Sequence, residues 1–131
     1  MEEIILSTSK KIELVNITSQ VEEKVAQSGV EKGICLIFLP HATAALWVNE
    51  DEAGLKEDFL RMIKNLFPEG EYKHNLIDNN AQAHLGSGFL GQSQVFPVEN
   101  GRLIRGTWQN IFLVELDGPR AQRRVLVEVI G

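Results

Sequence analysis

The feature that most limits how this chain can fold is the run Gly33-Ile34-Cys35-Leu36-Ile37-Phe38-Leu39, closed by Pro40. Successive side chains of an extended strand point to opposite faces, and here both sets are apolar. The run therefore reads as a central strand covered on two sides. Two long segments at the end of the chain make a similar demand. In 109–117, Gln109, Ile111, Leu113, Glu115 and Asp117 share one face, while Phe112, Val114 and Leu116 share the other. In 123–130, Val125, Val127 and Val129 alternate with Arg124, Leu126 and Glu128. Apolarity on both faces requires cover on both, from helices or from a neighbouring subunit.

The rest of the chain supplies the layers. Residues 3–8 and 11–17 are rich in Ile, Val and Thr and read as strands. Thr18 or Ser19 offers an N-cap for a helix from Gln20 to Gln27, ended by Gly29. A strand is expected over 43–48, with Thr43, Ala45 and Trp47 on one face. The plainest helix covers 51–66: Leu55, Phe59, Met62, Ile63 and Leu66 form one stripe, and Pro68 stops it. Asp58 flanks that stripe, which predicts partial burial and a partner. A second helix is expected over 79–90, with Leu85 and Phe89 inward and Asn80, His84 and Ser87 on one common face. Gln94–Val98 and Arg102–Arg105 flank Asn100-Gly101, a strong hairpin signal. The pattern is that of an α+β fold: a single compact domain over 1–131, with a mainly antiparallel sheet and two to three helices.

Composition narrows the partners. A net charge of −5 argues against non-specific binding to nucleic acid or anionic lipid. No segment has the ~20 apolar residues needed to span a bilayer. Met1-Glu2-Glu3 lacks the basic start of a signal peptide, so a cytoplasmic location is expected. The single cysteine, Cys35, excludes a disulfide framework; in its apolar run the thiol is expected to be buried and inert.

Chemistry is expected around the three histidines, His41, His74 and His84. Histidine titrates near neutrality and is the commonest metal ligand. No zinc spacing such as HExxH joins them, so a metal site would have to be assembled by the fold. Histidines with carboxylates suit zinc or another first-row metal, whereas carboxylates with phosphate oxygens suit Mg²⁺. Glu115, Asp117 and Arg120 form a second cluster. Asp117-Gly118-Pro119-Arg120 reads as a turn, and the fork of Arg120 matches a phosphate. Neither a GxSxG elbow nor a phosphate-binding P-loop occurs.

Several motifs then fall in a familiar order: His41-Ala-Thr-Ala-Ala-Leu, Asn49-Glu50, Asp58, Tyr72-Lys-His74, Asn80-Ala-Gln-Ala-His84-Leu, Gly106-Thr-Trp-Gln109 and Glu115-Leu-Asp-Gly-Pro-Arg120. Together they resemble the YjbQ family, whose members are named for a secondary thiamine-phosphate synthase activity. The resemblance implies a homotrimer with polar sites near subunit boundaries. It also implies a transferase reaction joining a pyrimidine methyl diphosphate to a thiazole ethyl phosphate. On that reading the catalytic set is His41, Asn49, Glu50, Asp58, Asn80, Gln109, Glu115 and Arg120. His41, His74 and His84 are the candidate ligands of a divalent metal. The alternative is a non-catalytic homotrimer that binds a metal or a metabolite.

Overall fold

The computed structural model describes residues 1–131. Eight strands and three α-helices follow in the order β1 (Glu2–Leu6), β2 (Glu13–Asn16), α1 (Thr18–Ser28), β3 (Lys32–Phe38), β4 (Ala44–Asn49), α2 (Ala53–Leu66), α3 (Ala81–Leu90), β5 (Ser93–Glu99), β6 (Arg102–Leu103), β7 (Asn110–Glu115) and β8 (Arg123–Ile130). A single 3-10 turn, Lys73–Leu76, precedes α3. The strands form two antiparallel sheets, one of five in the order β1-β8-β3-β5-β6 and one of three in the order β2-β7-β4. The α+β architecture expected from the sequence is the one observed.

Three layers result. Cys35, Ile37, Val125 and Val127 of the larger sheet meet Leu46, Ile111 and Leu113 of the smaller one, with Val21 and Val25 of α1 in the same core. The opposite face of the smaller sheet, Ala45 and Val114, packs on Phe59 and Ile63 of α2 and Ala83 of α3. Strand β7 lies between the two cores, which is why its residues Ile111–Glu115 are all buried. Trp47 stacks on Phe59 in the second core, with ring centroids 3.9 Å apart.

Local rules account for most ends. Asn100 and Gly101 both have positive φ, 53° and 74°, as a two-residue type I′ hairpin turn requires. Gly29 closes α1 in the left-handed conformation. The start of α1 differs from expectation: Thr18 is its first residue and caps nothing. Its hydroxyl donates to Asn16 Oδ1 at 2.6 Å and accepts the Ile111 amide at 2.8 Å, tying the helix to β7.

Within this chain the central strand β3 is covered on one face only, since Ile34 and Phe38 remain 44% and 42% exposed. Two expectations about burial are overturned. Helix α3 does not turn Leu85 and Phe89 inward; Phe89 is 69% exposed, and Ala81, Ala83, Gly86 and Ser87 are buried instead. The helix approaches too closely for anything larger. Ser87 Oγ donates to the Ala44 carbonyl at 2.6 Å, and a Cβ on Gly86 would lie 3.0 Å from Leu116. Asp58, expected at a half-buried edge, is 64% exposed in its side chain and pairs only with Arg61 one turn on.

Candidate functional site

The turn after β7 is strapped to the segment before β2. Thr8 N–H donates to the Arg120 carbonyl and the Arg120 N–H to Thr8 Oγ1, both at 2.9 Å. Gly118 admits no side chain, because a Cβ there would sit 2.1 Å from the Lys10 carbonyl oxygen. This strap fixes two carboxylates, Glu115 and Asp117, in different surroundings.

Glu115 is fully buried. Its Oε1 accepts from Thr8 Oγ1 at 2.6 Å and Arg123 Nε at 3.0 Å. Its Oε2 accepts from an Arg123 terminal nitrogen at 2.5 Å and the Asp117 amide at 3.1 Å. Those bonds fill the roughly four acceptor sites of a carboxylate, so Glu115 braces the site from inside. Burial pushes its carboxyl up, but the bonds from Arg123 and Thr8 outweigh burial and hold it below its usual range. Arg123 is shared with Thr43, whose Oγ1 accepts from it at 3.0 Å. Within the expected cluster of Glu115, Asp117 and Arg120, the arginine that bonds Glu115 is Arg123, buried in β8.

Arg120 pairs with Asp117, at 2.8 Å. Asp117 also accepts from Lys11 Nζ and from Asn80 Nδ2, each at 2.9 Å. Burial raises its carboxyl and these donors lower it further, with a net depression. Asn80 continues the chain, its Oδ1 lying 2.9 Å from His74 Nε2. The protons on this chain are fixed by chemistry. Ionised Asp117 only accepts, so Asn80 must turn its NH₂ toward it and its oxygen toward His74. His74 Nε2 therefore carries a hydrogen, and Nδ1 of the neutral ring carries the lone pair. The His84 ring meets His74 edge-on with centroids 4.6 Å apart, and the two line a shallow cleft of about 340 Å³ with Tyr72, Lys73, Ala81 and Leu85. Asn80, at the start of α3, stands between that cleft and a larger cavity of about 890 Å³.

The remaining expected residues lie elsewhere. His41 is half-buried after β3, and its Nε2 accepts the Arg124 amide at 2.9 Å. Burial first, and then the Arg123 charge, lowers its pKa against the opposing pull of Glu115. With Nε2 engaged, a metal would have only Nδ1 to bind. No group of three or more His, Cys, Asp or Glu side chains converges as a metal-holding set within the chain. Asn49 stands opposite Asn110 at one end of the β4–β7 pair, and Ala44 stands opposite Glu115 at the other. Five residue steps at about 3.4 Å separate these ends by roughly 17 Å. Asn49 Oδ1 accepts the Glu50 amide, and Gln109 Oε1 accepts the Gly106 amide at 2.7 Å. Within the chain the expected set therefore divides. His74, His84, Asn80, Glu115 and Arg120 come together, while Asn49, Glu50 and Gln109 gather around the far end of the small sheet and Asp58 is on the surface of α2.

Thr8, Lys11, Thr43 and Arg123 belong to this network and were not expected. Lys11 meets Asp117 across 106 positions of sequence, a contact with no local signal.

A family model described as UPF0047 protein YjbQ-like matches residues 2–131. A UPF0047 protein of Archaeoglobus fulgidus is 47% identical over 129 residues, which cover 98% of this chain and 99% of that protein. The Bacillus subtilis UPF0047 protein YugU is 38% identical over 130 residues, with 96% of each chain covered. Among solved structures, a YbjQ-like protein of unknown function from Sulfolobus solfataricus is 58% identical. It superposes with a TM-score of 0.97 over 99% of this chain and 95% of its own. The chain belongs to the YjbQ-like UPF0047 family, the one its motifs resemble.

Proposed function

We propose that the protein is a cytoplasmic enzyme acting on a phosphorylated small molecule at the His74–His84 cleft. The observation that carries this reading is the chain Asp117–Asn80–His74, in which a carboxylate sets the tautomer of an accessible imidazole through a carboxamide. Such a third group, orienting a base, is the arrangement acid–base and nucleophilic sites share. Arg120 stands beside it with one terminal nitrogen free of internal bonds, suited to a phosphate oxygen.

The reaction implied by the family resemblance is thiamine-phosphate formation. There the diphosphate leaves the pyrimidine methyl carbon with its bonding pair, and the thiazole nitrogen lone pair forms the new C–N bond. That step needs leaving-group charge neutralised, a role for Arg120, and a pyrimidine held in register, a role for Asn80 and the histidines. Turnover of the two precursors by wild type, His74→Gln and Arg120→Ala tests it. Both variants are expected to lose turnover, and wild-type rates in both would remove the site from consideration.

The resemblance also implies a homotrimer. The bare outer face of the larger sheet supports assembly: Ile5, Ile34, Phe38, Val95 and Ile130 are exposed on it. Exposed apolar patches of this kind mark interaction surfaces. Assembly would bring residues of separate subunits together and offer a way to reunite the two ends of the small sheet. Sedimentation of Phe38→Asp against wild type checks this, with dissociation expected.

A second reading, a metal- or metabolite-binding homotrimer without catalysis, is favoured by the free Nδ1 of His74 beside His84. Two imidazoles are short of the usual three or four protein ligands of zinc, so a further ligand would come from a neighbouring subunit. Metal analysis of protein purified without a histidine tag, run beside the turnover assay, separates the readings: an equimolar metal surviving dialysis with no turnover of the precursors is expected only of this one.

A further inference from the structure

The larger cavity carries chemistry that the Asp117–Asn80–His74 chain does not use. Of about 890 Å³, it opens between the segment before β2, the end of α2 and the start of α3. Its charged lining residues are Lys10, Lys11, Lys64 and Glu69, three cations to one acid. The chain as a whole has the opposite balance, 13 Lys and Arg to 18 Asp and Glu. Lys11 is bound to Asp117, whereas Lys10 and Lys64 take part in no ion pair. The side-chain amides of Asn79 and Gln82 are likewise outside the internal hydrogen-bond network. Beneath this polar rim, Ile12, Phe67 and Leu116 form an apolar wall.

Two unpaired ammonium groups, two unused carboxamides and an apolar wall around one concavity make a recognisable combination. A concave site lined by one sign of charge concentrates the opposite ion. The volume falls within the range of small-ligand sites, about 300–1,000 Å³. We propose that this cavity binds an organic anion: its phosphate or carboxylate on Lys10 and Lys64, its apolar body against Phe67 and Leu116, its hydrogen-bonding groups on Asn79 and Gln82. The cavity stands on its own lining residues and does not require chemistry at His74. Asn80 belongs to its wall and bonds His74, so the bound molecule sits one residue from the cleft.

The test follows the Asn and Gln side-chain amides by NMR while phenyl phosphate, benzoate or benzyl alcohol is added to the full-length protein. Both anions are expected to shift the Asn79 and Gln82 signals, and their relative affinity shows which acid group the lysines prefer. The surface double variant Lys10→Gln/Lys64→Gln should weaken phenyl phosphate at least about tenfold, the scale of losing charge-assisted bonds. Raising the salt should weaken it in wild type but not in the variant. Benzyl alcohol binding as tightly as phenyl phosphate, shifts confined to other residues, or unchanged affinity in the double variant would each overturn the proposal. His74→Gln should keep phenyl phosphate affinity. Anion binding that persists where no precursor is turned over leaves this site standing while the catalytic reading fails. Turnover without anion binding at these residues does the reverse.

Discussion

Glu115 and Asp117 are two residues apart on one strand end, have the same charge, and do different things. Glu115 is enclosed, and internal donors fill its oxygens, Arg123 foremost. Asp117 keeps partial access to water and passes its orientation outward, through Asn80 to His74. A saturated buried carboxylate holds layers together and has no lone pair left for a ligand. A carboxylate at the rim, held by Lys11 and Arg120, imposes a proton arrangement on an accessible ring. Proximity in sequence therefore says little about role, because role is set by which donors the tertiary structure delivers to each oxygen.

The largest expected break in this comparison is Glu115→Gln. It leaves the buried Arg123 guanidinium without its counter-charge, which should cost about 3–5 kcal/mol of stability, read from urea denaturation. A loss under about 1 kcal/mol would mean that Glu115 does not brace the fold. Asp117→Asn should act on function instead. Its side chain can both donate and accept, so Asn80 is no longer compelled to face His74 with oxygen. Turnover should fall by about 10²-fold or more. The ¹⁵N spectrum of His74 should change from a dominant Nε2–H form to a mixture, and an unchanged spectrum would refute the assignment.

Acid should separate the two kinds of group. His41 has its folded pKa lowered, so its stabilising contribution is present above its unfolded value near 6.5 and lost as pH falls through the folded one. Glu115 and Asp117 are also lowered from ordinary carboxylate values. Their contributions are present above about pH 4 and lost only as pH falls further. Urea midpoints from pH 8 to 3 should therefore decline in two stages, and His41→Asn should remove the upper stage alone. The smallest effect belongs to Asp58→Ala. Its exposed pair with Arg61 should be worth less than about 0.5 kcal/mol, and a larger loss would place Asp58 in an interface.

Residues governed by neighbours in sequence were legible. The apolar run 33–39 is a central strand, Asn100-Gly101 turns the chain, and Gly29 ends a helix, since each depends on backbone preference and side-chain alternation. Helix faces were less so. Leu85 and Phe89 matched an inward stripe by size, but α3 lies so near β4 and Leu116 that only Ala, Gly and Ser fit between. His74, His84 and the Glu115-to-Arg120 motif, far apart in sequence, are brought to one side of the molecule through Asn80. The partners that give them meaning did not show: Thr8 reaches Glu115 across 107 positions and Arg123 reaches Thr43 across 80.

By itself the sequence determined the fold class, the strands and turns, and the family, all products of short-range pattern. Only the tertiary structure decided that Arg123 neutralises Glu115, that Asp117 fixes the proton on His74, and that the expected residues divide between the two ends of the small sheet. It also left one face of β3 uncovered within this chain. Alternation records that a face is apolar, but which atoms meet there depends on how distant segments are brought together.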